Sequence, residues 1–570
     1  MFLPTTQAEL AKLGWDQLDV ILITGDTYID SPYIGAAVIG KVLSHAGYRV
    51  GIIAQPDLET ATDISRLGEP LLFWGVTSGS VDSMVANYTA TKKRRRQDDF
   101  TPGGVNNQRP DRAVIAYANL IRHYFKNTKP IVLGGIEASL RRIAHYDFWN
   151  DSLRKSILID AKADFLAYGM AEKSILELAA KLRQGQETHS IRGICYLAKE
   201  PCPEYLLLPS FAAVENDKLK FIEMFHLFYH NNDPLTARGL CQQQESRFLI
   251  QNPPADNLTE SELSAIHDLD YERDVHPYYK KEGPVRALDT IRFSQTTHRG
   301  CYGECNFCSI AVHQGRTIQN RTLHSILEET KKITKLPDFK GYILDVGGPT
   351  ANMYKMDCEN KLQKGSCQNK RCLYPDICKN LKPNHQEQIR LLQQLRQIPG
   401  VKKVFVASGL RYDLILGDER SGLSYLKEVV EHHISGQLKI APEHVEDKVL
   451  AKMGKPAAIK LQEFKELFDR LNQQAGKKQF LTYYLIAAHP GCEYEDMARL
   501  KSFAARELRI SPEQVQIFTP LPSTYSALMY YTGLDPFTLK PIFVEKDLLR
   551  KEKQKQVVVG AERLGRAFRP

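Results

Sequence analysis

Short apolar runs alternate with amphipathic stretches along almost the whole chain. In the first third the runs fall at 20–24, 50–54, 71–76, 131–133, 164–168 and 191–196, and helical patterns lie between them at 33–46, 112–125 and 171–182. Positions that are apolar consecutively, and not every second residue, belong to strands covered on both faces. This part predicts an α/β, doubly wound, Rossmann-like parallel sheet over residues 1–203. Gly25, Gly75, Gly134, Gly135 and Gly169 accompany these runs, at the edge where such sheets make tight turns or meet ligands.

Residues 204–284 read as a connector: the pattern breaks at Asn252-Pro253-Pro254-Ala255-Asp256-Asn257, and Thr259-Glu260-Ser261-Glu262 starts a short capped helix. Alternation resumes from about 285 to 530. Strands are expected at 290–294, 342–346, 403–407, 437–440, 481–486 and 515–518, separated by helices at 322–334, 386–397, 423–432, 461–474 and 494–508. Six strand–helix units predict a partial (β/α)6 barrel, whose reactive face is the carboxyl end of its strands. Residues 531–570 form a basic tail.

Composition narrows the class. The chain has 570 residues, 43% of them hydrophobic and 25% charged, with no apolar run of membrane-spanning length. A cytoplasmic protein with no membrane partner is expected. Eleven cysteines in so long a chain do not make a disulfide framework and read as ligands plus core thiols. The net charge of +9 is modest, and its sharpest run, Lys92-Lys93-Arg94-Arg95-Arg96, reads first as the solvated end of a helix at 83–91. Nucleic acid as a partner has weak support.

The chemistry concentrates in Arg299-Gly300-Cys301-Tyr302-Gly303-Glu304-Cys305-Asn306-Phe307-Cys308. Three thiolates spaced CxxxCxxC on one loop suit three corners of a 4Fe-4S cluster, and the next cysteine, Cys358, is too far along the chain to close the set locally. One iron is left open to bind a cofactor. Phe307 would shield the cluster from water. Structural zinc, with His298 or His313 beside the loop, is the alternative.

With Ser294-Gln295-Thr296-Thr297-His298-Arg299-Gly300-Cys301, His313-Gln314-Gly315-Arg316, Asp345-Val346-Gly347-Gly348-Pro349-Thr350-Ala351-Asn352-Met353-Tyr354 and Ile440-Ala441-Pro442-Glu443-His444, the chain resembles the radical SAM superfamily and its YgiQ-type members. The resemblance extends over most of the chain. It implies a 4Fe-4S cluster on Cys301, Cys305 and Cys308, S-adenosylmethionine (SAM) as cofactor, a low-potential electron donor, and reductive cleavage of SAM to a 5'-deoxyadenosyl radical. It supplies no substrate.

Residues just after the strands gather on the expected reactive face. Gly347 and Gly348 would bring backbone to the SAM amino group, while Ser408, Arg411 and Glu443 suit its ribose and carboxylate. His444 and His489 are candidates for proton transfer or anion binding, with a structural histidine as the plainer reading of each. A second group, Cys358, Cys367, Cys372 and Cys378, lies in the polar stretch 357–385 and would hold an auxiliary iron-sulfur cluster or zinc, free thiols being the alternative.

The N-terminal half looks like a cobalamin-binding module. Asp30-Ser31-Pro32-Tyr33 offers no histidine where the usual motif supplies cobalt's axial ligand, which argues against cobalamin. Two rival functions are methyl or methylthio transfer to RNA, and a non-catalytic iron-sulfur or zinc protein that binds or senses redox state.

Overall fold

The computed structural model describes residues 1–560. They form two compact units, Met1–Arg292 with Val312–Gly315, and Phe293–Ala311 with Arg316 onward.

The first unit is built on a nine-stranded sheet. In chain order its strands are β1 (Val20–Thr24), β2 (Val50–Ala54), β3 (Phe73–Thr77), β4 (Ile131–Leu133), β5 (Phe165–Ala167), β6 (Ile194–Ala198), β7 (Leu206–Leu208), β8 (Leu240–Gln244) and β9 (Arg247–Gln251). Their spatial order is β7-β8-β9-β6-β5-β4-β3-β1-β2. Strands β2, β1, β3, β4 and β5 pair in parallel. Every residue of β1 and β2 is buried, as their unbroken apolar runs require.

Two expectations change here. β6 joins antiparallel to β5 and to β9, so the doubly wound part ends at β5. The stretch 204–284 is no mere connector: β7, β8 and β9 extend the same sheet, and the unit runs to Arg292. Its hairpin was hidden by polar residues. Gln242, Gln244 and Gln251 are buried because their side-chain carbonyls accept from Ala144 N–H at 3.1 Å, Ser156 N–H at 2.8 Å and Arg142 Nε–H at 3.0 Å.

The basic run is also placed differently. The helix Ser83–Asn87 stops before it, and Tyr88 pairs with Arg94 across a turn at Thr89–Lys92, so the run lies on a hairpin and not at a helix end. Thr89 and Thr91, stiff at χ1, favour that extended course. Lys93, Arg94, Arg95 and Arg96 are exposed.

In the second unit parallel pairing runs through successive strands: β10 (Ser294–Thr296) with β14 (Asp345–Gly347), β13 (Tyr342–Ile343) with β15 (Lys403–Val404), then β16 (Gln437–Glu443) with β17 (Phe480–Ala487) and β17 with β18 (Gln516–Ile517). A parallel bridge from Leu410 to Ile440 links the third and fourth strand positions. A short antiparallel pair, β11 (His298–Arg299) and β12 (Gln319–Asn320), brackets the cysteine loop. No pairing closes the last strand on the first among the described residues. The strand expected at 290–294 begins only at Ser294, because Arg286–Ile291 is a helical turn and the strand itself is the polar Ser-Gln-Thr.

Helices cover this sheet through regular apolar stripes. Leu323–Ile333 is capped by the Thr322 hydroxyl, which accepts from Ser325 N–H; it buries Ile326, Thr330 and Ile333 and carries Lys331 and Lys332 in its last turn. Ile459–Gln474 buries Leu461, Phe464, Phe468 and Leu471 at helical spacing. These residues share one core with Ile343, Val346, Val404, Leu438, Ile440 and Leu485 from the strands.

A helix near the end of the described residues is part of this unit as well. The helix Leu548–Val559 buries Lys551, whose ammonium donates to Tyr530 Oη at 2.8 Å, and Gln554, whose side chain accepts from Ala488 N–H at 3.0 Å. Of the expected basic tail, residues 561–570 lie outside the described residues. No helix among the described residues is long and apolar enough to cross a membrane.

Candidate functional site

The cysteine loop leaves the end of β11 through Gly300, at φ 81°, and turns again at Glu304, at φ 45°. It is pinned by Asn306, whose backbone N–H donates to Met453 O at 2.9 Å, whose side chain donates to Lys452 O at 2.7 Å, and whose carbonyl accepts from Ser526 N–H at 2.9 Å. The loop's path is therefore fixed from outside by backbone groups.

Gly303 shows why the loop needs a residue without a side chain. A Cβ there would stand 3.2 Å from Cys301 Sγ, 3.6 Å from Cys305 Sγ and 3.2 Å from Arg411 Nη1. The space between two thiols and a guanidinium is a cradle that a methyl group would fill. Gly303 N–H points at Cys301 Sγ from 3.3 Å, and Arg411 Nη1 lies 3.6 Å from Cys305 Sγ. Burial pushes the Cys308 thiol up to about 12, with Cys305, Cys301 and the Glu443 carboxylate adding to it. Soft sulfur donors, amide donors and a fixed cation around a sheltered space suit an iron-sulfur cluster. His298 Nδ1 is 2.8 Å from Thr297 Oγ1 and His313 Nδ1 is 3.2 Å from Ser139 Oγ, so each flanking ring already has a partner. Among the described residues no three Cys, His, Asp or Glu side chains stand ready-closed around a single ion.

Arg411 is the residue most firmly set. It is buried and forks onto Asp413, with Nε–Oδ1 at 2.8 Å. Burial alone would lower its pKa, but the Asp413 charge and hydrogen bonds raise it, so it is always a cation. Its backbone N–H donates to Asn352 Oδ1 at 2.8 Å and its carbonyl accepts from Asn352 Nδ2 at 3.0 Å. Asn352 is held in turn by His385 at 3.1 Å, and His385 Nδ1 by Asp418 at 2.7 Å. This relay of Asn352, His385 and Asp418 was missed in the sequence, although Asn352 lies in the string that carries the resemblance.

The other expected cofactor residues divide. Glu443 is buried at φ 69°, where the pairing of β16 with β17 slips, and Lys455 Nζ is 3.8 Å from its Oε1. A glutamate in that region is strained, a state kept where the site demands it. Burial raises its pKa, against the lowering pull of Lys455 and Arg411. Ser408 instead donates its hydroxyl to Asp345, whose Oδ1 also accepts from Ser408 N–H at 3.1 Å and Ala407 N–H at 2.8 Å. The Gly347 carbonyl accepts from Thr297 N–H at 2.7 Å, and the space beside Gly348 is filled by His298, 2.6 Å from where a Cβ would be. These three positions shape the strand ends, and Asp345 ties Ser408 to the strand that carries Gly347.

His444 and His489 are locked by hydrogen bonds. His489 Nδ1–H donates to Pro490 O at 2.9 Å while Nε2 accepts from Ser526 Oγ at 2.7 Å, and its ring meets Phe307 edge-on at 6.3 Å. His444 Nδ1 accepts from Glu446 N–H at 3.0 Å. Burial holds His489 near 3 and His444 near 4, against an ordinary 6.5. An unfolded chain takes up these protons as pH falls through 6.5 while the folded one refuses them, so stability is full above that pH and is lost below it. Between pH 7 and pH 5 each histidine is expected to cost about 2 kcal/mol. Urea unfolding at the two pH values measures this, and His489→Gln should remove roughly one residue's share of the difference.

The second cysteine group is brought together. Cys358, Cys367, Cys372 and Cys378 line one cavity with Glu304 and Lys361. Cys358, Cys372 and Cys378 share a small apolar cluster with Tyr302, Met353, Leu373, Leu381 and Cys301. Glu304, inside the CxxxC, is buried between Arg316 Nε at 2.8 Å and Lys361 Nζ at 3.6 Å, and its carbonyl accepts from Arg371 Nη1 at 3.2 Å. The two cysteine loops are thus joined by one carboxylate.

A family model described as Radical SAM N-terminal matches residues 2–294. A UPF0313 protein of Fusobacterium nucleatum is 60% identical over 98% of each chain. One from Thermotoga maritima is 48% identical over 98% of each chain. Among solved structures, the radical S-adenosylmethionine methyltransferase TsrM from Kitasatospora setae, with cobalamin and a [4Fe-4S] cluster bound, matches with a TM-score of 0.51 at 15% identity, covering 90% of this chain and 77% of that one.

The argument against cobalamin drawn from the missing histidine finds no support in this comparison, since the fold is shared with a protein that has cobalamin bound. An axial histidine is one bond, and its absence does not abolish a binding fold. Here Asp30 is buried on Lys41 Nζ at 3.0 Å and accepts from Glu272 N–H at 3.0 Å.

Proposed function

We propose, for a chain that belongs to the YgiQ-type radical SAM family of UPF0313 proteins and is thereby a radical SAM enzyme, that its reaction is reductive cleavage of SAM at a 4Fe-4S cluster held by Cys301, Cys305 and Cys308. When bound, the cluster supplies the electron that breaks the sulfonium bond, drawn from a low-potential donor.

The observation that carries this reading is the Gly303 cradle, with two of the three thiols and the Arg411 guanidinium around one empty Cβ position. The chain's own groups have distinct tasks there. Arg411, fixed by Asp413 and Asn352, presents a permanent positive charge beside Cys305, where the anionic thiolates of a cluster and the carboxylate of SAM both profit from it. Glu443, with its raised pKa, offers hydrogen-bonding oxygens from a strained strand end. Phe307, packed on the core and against His489, excludes water on its side. Neither His444 nor His489 is assigned a proton-transfer role, since both rings are buried and engaged in hydrogen bonds.

Anaerobic reconstitution with iron and sulfide tests the cluster assignment. About four of each per chain are expected to stay bound through the Cys301, Cys305 and Cys308 site. Iron binding left unchanged in the triple alanine variant would contradict it.

A second reading, methyl transfer, is favoured by the fold shared with TsrM, described as a methyltransferase with cobalamin bound. The exposed hairpin Lys93–Arg96 gives RNA a surface to meet. Methylated product from labelled SAM, with salt-sensitive RNA binding, would favour that reading over a radical released onto another substrate.

A further inference from the structure

We propose that Cys358, Cys367, Cys372 and Cys378 form a tetrahedral zinc site that fastens the 357–385 loop beside the cysteine loop, independently of the iron-sulfur cluster. Four thiols from a single stretch line one cavity, although eight, four and five residues separate them along the chain. Chance placement in a polar loop does not gather every cysteine it contains.

The donor set points to the metal. The cavity is about 20 Å³, room for one ion or one water. Four soft sulfur ligands around one small ion are the donor set of structural zinc. The charge is partly met: four thiolates on a dication leave two negative charges, Lys370 and Arg371 line the cavity, and the buried Lys361 ammonium lies 3.6 Å from Cys372 Sγ.

The loop's backbone is organised for ligation. Cys378 N–H donates to Cys372 O at 2.8 Å, Lys361 N–H to Cys358 O at 2.9 Å and Leu381 N–H to Cys378 O at 2.9 Å, so three of the four cysteines sit in hydrogen-bonded turns. Among the described residues the sulfurs do not stand as a closed set, and ligation would draw them in with release of their thiol protons. A loop of this length holds one short helix, Glu359–Lys364, and buries few apolar residues, Leu373 and Leu381 among them; a metal staple supplies the missing order. Cys358, Cys372 and Cys378 touch the apolar cluster that includes Cys301, so the staple also steadies the neighbouring site.

Elemental analysis of the full chain carrying Cys301→Ala, Cys305→Ala and Cys308→Ala tests the site apart from the cluster. About one zinc per chain is expected, falling below about a tenth when Cys372→Ser is added. Cobalt-grown protein should show the intense visible bands of a tetrahedral cobalt thiolate. A folded, metal-free triple variant would overturn the proposal, and so would iron with acid-labile sulfide in place of zinc. Should Cys372→Ser not fold, mercurial titration of the wild type decides: zinc must leave together with modification of four thiols, and thiols that react with no zinc released refute the site. None of these outcomes depends on SAM cleavage, so the two readings fail separately.

Discussion

Cys305→Ala is expected to leave a folded protein whose conversion of SAM to 5'-deoxyadenosine and methionine falls by at least a factor of about a hundred, below detection in most assays. Cys305 is only partly buried, so losing its sulfur costs little packing. It is, however, the thiol that Arg411 addresses from 3.6 Å and one of the two flanking the Gly303 cradle. Two thiolates cannot hold three corners of a cluster, and without the cluster no electron reaches the sulfonium. Phe307→Tyr is the matched control. Its ring packs at the edge of the core, so it should keep the cluster and change the rate only modestly. Liquid chromatography of reduced, reconstituted samples reads both, and full activity in Cys305→Ala would remove this residue from the cluster.

Glu304→Ala should have the largest effect on stability, about 3–5 kcal/mol. The carboxylate is buried, with Arg316 at 2.8 Å and Lys361 at 3.6 Å, and its removal takes from both cations the counter-charge they share. Adding Arg316→Met should recover part of the loss, since one uncompensated charge then disappears. Because Glu304 lies between Cys301 and Cys305, the single variant should also retain less iron than the wild type after the same reconstitution. Denaturant unfolding and iron content measure the two effects. A loss under 1 kcal/mol would show that Glu304 is not the tie between the loops.

The strand–helix alternation and the three cysteines were legible because both are local signals, one written in consecutive apolar residues and the other in fixed spacing. What escaped the sequence was long-range. β8 and β9 are rich in glutamine, and their burial makes sense only beside the distant backbone N–H groups of Ala144 and Ser156 and the side chain of Arg142. β10 is Ser-Gln-Thr, with no apolar run to find. The structure places Arg411 beside Cys305 and Glu443 at a slipped strand end, both after strands as their sequence positions led one to expect. The bond of Ser408 to Asp345 escaped the sequence because that partner comes from another strand, 63 residues away. Glu304 looked like a spacer between ligands until its three basic partners, brought in from later segments, were seen around it.

The central claim is tested most directly by giving the anaerobically reconstituted, reduced wild-type protein SAM alone and measuring the products. The account predicts equal amounts of 5'-deoxyadenosine and methionine, formed slowly even without substrate and absent when the reductant is omitted. A fully loaded, reducible cluster that leaves SAM intact with every strong reductant would contradict it.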